Sequence, residues 1–300
     1  RSSDLGAAAG RGGLEVSPAD RLRAVLAKPD VLVMPGCFDA LSAKLVERAG
    51  FAATFMGGFA VSGTRLGAPD TGLISYAEMV DQGRDICAAV SIPVFGDGDT
   101  GYGNAVNVRR TVRGFAQAGF ACIMIEDQVP PKRCGHTLGK QTVPRDEAFA
   151  RVHAAIDTRE GGVDILIMAR TDAAATEGFD EALLRAKTFA EIGADITFLE
   201  APRDEDEMRA YCDGVKGPKM ANMVEGGDTP LLAPAKLAEI GYEIVVYPLT
   251  LLLAGVRAME EALSSIRDAR HPEALAEFAH LRDIVGFPAY YDEEKKYATD

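Results

Sequence analysis

From residue 31 onward the chain repeats one unit eight times: a short apolar or β-branched run, a polar or glycine-containing turn, and a stretch with helical spacing of apolar residues. The runs are VLVMPG (31–36), AATFMGG (52–58), PVFGDGD (93–99), ACIMIED (121–127), DILIMAR (164–170), DITFLEA (195–201), PKMANM (218–223) and YEIVVYPL (242–249). Between them lie amphipathic segments such as ALSAKLVERAG, NVRRTVRGFAQAG and EALLRAKTFAEIG. Several close on glycine, the residue that best tolerates the left-handed conformation of a helix C-cap. Strands that are apolar throughout need cover on both faces, and strand-helix-strand repeats join parallel neighbours. Eight such units predict an α/β fold, a closed (β/α)8 (TIM) barrel. Residues 1–20 are expected to be a flexible extension. Residues 21–300 are expected to form one barrel domain that includes the C-terminal helices from about 250.

Polar side chains gather where the runs end. The third to seventh finish in Asp97 and Asp99, Glu126 and Asp127, Arg170, Glu200 and Asn222. Any one of these has an ordinary reading as the cap of the following helix, but five units in succession point to the shared carboxyl-end mouth where barrel active sites lie. Asp97 and Asp99 are two apart and leave the same face of their strand. Hard oxygen ligands paired in this way suit Mg2+, with Asp70 and Glu126 as further carboxylates around it. The glycines of GDGDTGYGN match neither nucleotide-binding fingerprint.

The segment QVPPKRCGHTLGKQTVP, after the fourth run, is a long polar loop of the kind that is usually functional. Its Cys134 has Lys132, Arg133 and His136 beside it, and cations raise thiol reactivity. Cys37, Cys87, Cys122 and Cys212 read as small buried hydrophobes. His153, His271 and His280 fall in helical patterns and receive no function.

A formal charge of -13 disfavours nucleic acid and anionic membrane surfaces as partners. An anionic substrate then needs a metal or a buried arginine as local compensation. Five cysteines with no CxxC spacing point to a reducing, intracellular compartment. The cytoplasm is expected; the stretch RSSDLGAAAGRGG leaves a plastid or the mitochondrial matrix as the alternative. The apolar run at 245–256 is broken by Tyr247, Pro248 and Thr250 and is too short to cross a bilayer. Past the eighth run, TLLLAGVRAM is apolar around nearly all of its helical circumference, so it is expected to pack on the barrel and on another subunit, in a homo-oligomer.

In order and spacing, PDTG, DGDTGYGN, EDQ, KRCGH, ARTDA and ANMVEGGDTP resemble the isocitrate lyase/phosphoenolpyruvate mutase superfamily over about residues 21–267. KRCGH is similar to the loop of its lyase branch: isocitrate and 2-methylisocitrate lyases, and the petal-death-protein group of alkylmalate lyases and oxaloacetate hydrolases. The resemblance implies a barrel whose last helix is exchanged between paired subunits of a tetramer. It also implies Mg2+, for which Mn2+ can substitute, and a small dicarboxylate substrate. Asp99 matches the direct metal ligand, and Asp70, Asp97 and Glu126 the carboxylates that hold its water shell. Arg170 matches the substrate-carboxylate clamp, for which a bidentate guanidinium is apt. Gly57 and Gly58 match a stretch whose amides meet substrate oxygens, with Gly57 where many relatives carry a small hydroxyl residue. Glu200, Asn222 and Thr229 match the far side of the pocket, and Met56, Phe59, Val224 and Gly226 are expected to wall the substituent.

The implied chemistry is carbon-carbon cleavage of a 2-hydroxy or 2-oxo dicarboxylate by a retro-aldol or retro-Claisen break. Cys134 would protonate the carbanion, and His136 and Lys132 would set its proton state. One competing reading is a phosphonate enzyme of the same superfamily, because DTGYGNAVNV resembles that branch too. CFDALSAKLVERAGF and GLISYAEMVDQG are similar to carboxyvinyl-carboxyphosphonate phosphorylmutases. A reading from another class is a non-catalytic dicarboxylate-binding scaffold, for which a cationic Cys134 loop beside acidic residues has no use.

Overall fold

The computed structural model describes residues 16–134 and 139–298. Its strands are β1 (Leu32–Cys37), β2 (Thr54–Met56), β3 (Val94–Asp97), β4 (Cys122–Glu126), β5 (Leu166–Thr171), β6 (Ile196–Leu199), β7 (Met220–Asn222) and β8 (Ile244–Tyr247). Each lies within or within one residue of an expected run. All pairings are parallel, in the order β6-β5-β4-β3-β2-β1-β8-β7. A bridge between Thr197 and Lys219 completes the ring, with the Thr197 amide donating to the Pro218 carbonyl at 3.0 Å. The chain is therefore the expected (β/α)8 barrel. The strands are shorter than the runs because the glycine and acidic ends turn out of the ladder: at Gly57 the chain enters helix α3 (Gly58–Val61) instead of continuing β2.

The crossovers are α2 (Ala40–Arg48), α4 (Tyr76–Ala89), α5 (Ala105–Ala118), α6 (Arg145–Glu160), α8 (Phe179–Ile192), α9 (Glu205–Gly214) and α10 (Pro234–Ile240), with α7 (Ala173–Thr176) preceding α8. Helix α5 shows how local sequence sets a boundary. Asn104 caps it by accepting from the Val106 and Asn107 amides at 2.9 and 3.2 Å, and Gly119 ends it at φ 100°. These limits fix the length of the acidic loop between β3 and α5.

Side-chain alternation along the strands makes two cores. Met34, Phe95, Met168, Ile196 and Ile244 fill the barrel, while Ile123, Ile125, Ile165 and Ile167 face outward against α5 and α6 residues such as Phe115 and Val152. Helix α1 (Pro18–Leu26) adds fully buried Ala19 and Leu22 to the inner core. The domain start expected at residue 21 thus falls inside a helix, whose cap is Ser17; residues 1–15 lie outside the described residues.

Helix α11 (Thr250–Arg267) follows β8 and meets β1, yet none of its residues is buried. Leu253, Val256, Met259, Leu263 and Ile266 form an exposed apolar stripe. Helix α12 (Phe278–Val285) returns to α2, with Arg48 paired to Asp283 at 2.7 Å, and α13 (Phe287–Tyr297) follows. Among the described residues no helix is long and apolar enough to cross a membrane.

One buried arginine ties α8 to the barrel. Arg185 donates to Glu181 (2.8 Å), Glu177 (2.7 Å), Asp127 (3.1 Å) and the Val143 carbonyl (2.9 Å). Glu181 also accepts from Arg145, and these bonds hold its carboxyl down to about 2 against the opposing effect of burial. A depressed folded pKa contributes stability that is complete above the unfolded value and is lost as pH falls through the folded one. Glu181→Gln should therefore lower Tm at pH 7, with the difference from the parent shrinking between pH of about 4.5 and about 2 in a calorimetric series. A difference constant down to pH 2 would contradict this role.

Candidate active site

The acidic loop after β3 depends on a glycine between two aspartates. Gly98 donates its amide to the Met124 carbonyl at 2.9 Å, and a Cβ there would stand 2.6 Å from that oxygen and 2.9 Å from the Ile123 side chain. Only glycine lets β3 lie this close to β4. Asp99 follows in the left-handed region, φ 48°, which an aspartate tolerates better than most residues. Asp97 is held from both sides, accepting from the Asp99 amide on Oδ1 and the Gly58 amide on Oδ2, each at 3.0 Å. The Gly58 N–H is therefore committed to Asp97, which corrects the expectation that it meets substrate. Gly57 and Gly58 do line the cavity, and a Cβ on Gly58 would meet Asp97 Oδ2 at 3.0 Å.

Lys132 enters this cluster from the loop after β4. Its Nζ donates to Asp70 Oδ2 at 2.6 Å and lies 2.8 Å from Asp99 Oδ1, with all three side chains buried. The ammonium is thus paired with these two carboxylates, two residues along the loop from Cys134. Cys134 is half-buried and lines the cavity. His136, the other expected partner of the thiol, lies outside the described residues. The loop is anchored at its base, where the Val129 amide donates to Gln141, the Val143 amide donates to Asp127, and Gln128 exchanges two 2.9 Å hydrogen bonds with the Arg133 backbone.

Arg170, at the end of β5, spends its bidentate edge on the protein: Nε and Nη2 donate to the two oxygens of Asp172 at 2.8 and 2.9 Å. Nη2 also lies 3.1 Å from Glu200, Nε lies 3.4 Å from Glu126, and the guanidinium stacks 5.2 Å from the Phe198 ring centroid. The Nε/Nη2 edge is therefore occupied by Asp172. Asn222 Nδ2 approaches both Glu200 oxygens at 3.3 Å. Thr229 is buried beside a separate small void with Phe198, Asn222 and Tyr242, because the loop after β7 carries it behind Asn222. It is therefore not part of the main cavity.

That cavity encloses about 60 Å³ at the carboxyl ends of the strands. Asp70, Asp97, Glu126, Lys132, Cys134, Arg170, Glu200 and Asn222 give it polar groups. Phe59 and Val224 line it as expected, whereas Met56 faces the outer core and Gly226 is exposed outside it. The sequence reading missed Phe55, Met124, Phe198 and Met220, which form an apolar floor. For three of them a signal was available: Met124, Phe198 and Met220 each precede a polar end residue by two and share its strand face. It also missed Asp172, two residues beyond Arg170 in ARTDA.

Negative charge exceeds positive charge here. Burial raises Asp99 to about 6, with Asp97 and Asp70 adding to the rise against the opposing Lys132. Burial likewise pushes Glu126 well above the carboxylate range, reinforced by Asp172 and Asp97 against Arg170 and Lys132. Asp70 Oδ1 and Glu126 Oε1 are buried without a hydrogen bond. A cation suits this donor set. Among the described residues no three such side chains converge closely enough to hold a metal together. Mg2+ would not need three converging ligands, since it binds one or two carboxylates directly and retains water toward the others.

A barrel with an acidic cluster, an arginine and a cysteine-bearing loop at the carboxyl-end mouth has the layout of a barrel enzyme. The chain belongs to the phosphoenolpyruvate mutase/isocitrate lyase superfamily: the family described as phosphoenolpyruvate phosphomutase matches residues 22–267. It is 42% identical to 2,3-dimethylmalate lyase of Eubacterium barkeri, over 95% of this chain and 99% of that protein. It is 40% identical to the chloroplastic carboxyvinyl-carboxyphosphonate phosphorylmutase of Arabidopsis thaliana, over 93% of this chain and 84% of that one. The solved structure of an oxaloacetate acetylhydrolase in complex with the inhibitor 3,3-difluorooxalacetate superposes with a TM-score of 0.91 and 30% identity, covering 95% of this chain and 98% of that one.

The close approach at Gly98 sets a direct test. Gly98→Ala should destabilise the fold by about 1–3 kcal/mol, the scale for overpacking a tight site, read as a lowered midpoint in urea. An unchanged midpoint would show that β3 and β4 have room to separate.

Proposed function

We propose that the protein is a Mg2+-dependent carbon-carbon lyase of small 2-hydroxy or 2-oxo dicarboxylates, of the alkylmalate, 2-methylisocitrate or oxaloacetate class. The observation that carries this reading is the position of Cys134, which lines one small cavity together with Asp70, Asp97, Glu126 and Arg170. Asp99 would hold the metal directly, and Asp70, Asp97 and Glu126 through water. Bound Mg2+ supplies Lewis-acid stabilisation of charge developing on substrate oxygens.

The chain's own groups account for the remainder. Arg170 binds a substrate carboxylate from its Nη1 side. Asn222 and Glu200 bound the far wall, and Phe55, Met124 and Phe198 give the cavity an apolar floor. One of the cavity carboxylates takes the proton of the C2 hydroxyl, which in a 2-oxo substrate a water supplies by adding to C2; the C2–C3 bond then breaks with its electron pair left on C3, and the Cys134 Sγ–H supplies the proton that quenches it. Lys132 neutralises Asp70 and Asp99 within the same cluster. The names of the lyase and acetylhydrolase relatives support this class of substrate.

The 40% identical phosphorylmutase favours a second reading, phosphonate chemistry. An assay panel separates the two. Release of a 2-oxo acid or of oxalate from alkylmalates, 2-methylisocitrate or oxaloacetate is expected, and phosphate release from phosphonopyruvate with none from the carbon substrates would overturn the lyase reading. Cys134→Ala should lower kcat by about 10²-fold or more, the scale for a positioned acid, while leaving Mg2+ affinity near normal. Activity should vanish in EDTA and return with Mg2+ or Mn2+.

The exposed stripe on α11 supports assembly into a homo-oligomer, a tetramer with exchanged helices being the form the superfamily resemblance implies. Light scattering should give a multiple of 31.9 kDa. A monomer mass at micromolar concentration would refute the assembly.

A further inference from the structure

Behind Arg170 lies a chain of buried charges with no direct place in the cleavage step. Asp172 is fully buried and fixes the Nε and Nη2 edge of Arg170 through two hydrogen bonds of 2.8 and 2.9 Å. The Asp172 amide in turn donates to Asp127 Oδ1 at 2.9 Å. Asp127, at the end of β4, accepts on Oδ2 from the Thr171 hydroxyl at 2.7 Å and from Arg185 at 3.1 Å. Lys140 Nζ lies 3.6 Å from Asp172 Oδ1 and is also largely buried. The succession runs from helix α8 to the cavity: Arg185, Asp127, Asp172, Arg170.

Burying this many charges costs desolvation energy that an apolar wall of the same volume would not. Most of the space behind the strands is filled with isoleucine, alanine and phenylalanine, and the other fully buried arginine, Arg151, is met by the Glu126 and Gln128 carbonyls and by Glu147, so a run of four charges in succession is the exception. The exception needs a reason, and the geometry around Arg170 supplies one. Without Asp172 the guanidinium has two other carboxylates to turn to, Glu200 at 3.1 Å and Glu126 at 3.4 Å. These two, which line the cavity, would then alone decide how it lies. Asp172 holds one edge and so presents the Nη1 side to a ligand, and Asp127 fixes the backbone from which Asp172 projects.

We propose that Asp172 and Asp127 are positioning residues, which set the orientation of Arg170 so that it receives a substrate carboxylate. This rests on the reading of Arg170 as the carboxylate clamp. The consequence is a specific energetic signature. Loss of Asp172 weakens ligand binding through Arg170 alone, so the effect of its substitution disappears once Arg170 has been changed.

The test uses oxalate, the smallest dicarboxylate, titrated calorimetrically into the Mg2+-loaded full chain of the parent, Asp172→Asn, Asp127→Asn, Arg170→Lys and the Asp172→Asn/Arg170→Lys double variant. Asp172→Asn should raise the oxalate Kd by about tenfold, the lower end of what is lost when a group that orients a binding side chain is removed. Asp127→Asn should act in the same direction and less. The double variant should bind no more weakly than Arg170→Lys. With the substrate that turns over best, Asp172→Asn should raise KM about tenfold with kcat within about threefold, the pattern of lost ground-state binding.

A purely structural role predicts a lowered Tm with an unchanged oxalate Kd, or independent, additive losses in the double variant; either result overturns the proposal. Should Asp172→Asn fold poorly, Asp127→Asn carries the same comparison against Arg170→Lys. A parent protein whose oxalate affinity is indifferent to Arg170→Lys would instead remove the clamp reading, and this inference with it. Weakening by Arg170→Lys but not by Asp172→Asn or Asp127→Asn would remove only the inference.

Discussion

Carboxylates packed beside one another out of water repel and must be neutralised, and much of the barrel mouth is arranged around that requirement. Asp70, Asp97, Asp99 and Glu126 are all buried at the ends of their elements or in adjoining loops. The rise of Asp99 to about 6 shows how incompletely the protein's own cations compensate them. Two features answer this demand. Lys132 draws its loop down onto Asp70 and Asp99, which brings Cys134 to the cavity wall. Arg170 leans between Glu126 and Glu200, restrained by Asp172. Both placements on which the proposed chemistry rests, the thiol and the guanidinium, therefore follow from where negative charge has been buried.

Beneath the charged layer lies an apolar one, and the strand repeat links them. Residues two apart on a strand share a face, so Met124 underlies Glu126, Phe198 underlies Glu200 and Met220 underlies Asn222. The floor is continuous with the inner core that Met34, Phe95 and Met168 build below it. Polar groups at the rim thus project from a close-packed base, which limits the positions they can adopt. Gly98 and Gly58 belong to the same construction: where acidic side chains crowd together, the backbone beside them has given up its Cβ.

The fold was legible because hydrophobic periodicity and capping residues are local signals. Eight apolar runs separated by amphipathic stretches have few alternatives to a barrel, and each strand lay where its run lay. The set of mouth residues was legible for the same reason, since strand ends in this architecture converge. The sequence was a poorer guide to which way each side chain points. Lys132 stands two residues from Cys134 and was grouped with it, but the pull of two buried carboxylates decides its direction. Gly58 was expected to offer its amide to substrate, and Asp97 takes it. Thr229 follows β7 in sequence, yet the turn carries it behind Asn222. Asp172 went unnoticed because its meaning lies in a contact with Arg170 and not in a spacing. Three-dimensional competition for partners is what a linear reading lacks.

The ring of strands is not equally strong all the way round. Seven neighbouring pairs are joined by ladders of two to five registered residues, while β6 and β7 meet through the one bridge at Thr197 and Lys219. Fewer backbone bonds mean a lower resistance to local opening. Glu200 and Asn222, which bound the far wall of the cavity, stand above this seam on its two sides. The β6–β7 seam is therefore where the ring resists parting least, on the side of the barrel away from Asp97 and Glu126 on β3 and β4. The weakest backbone joint and the densest acidic packing thus fall on different parts of a single barrel.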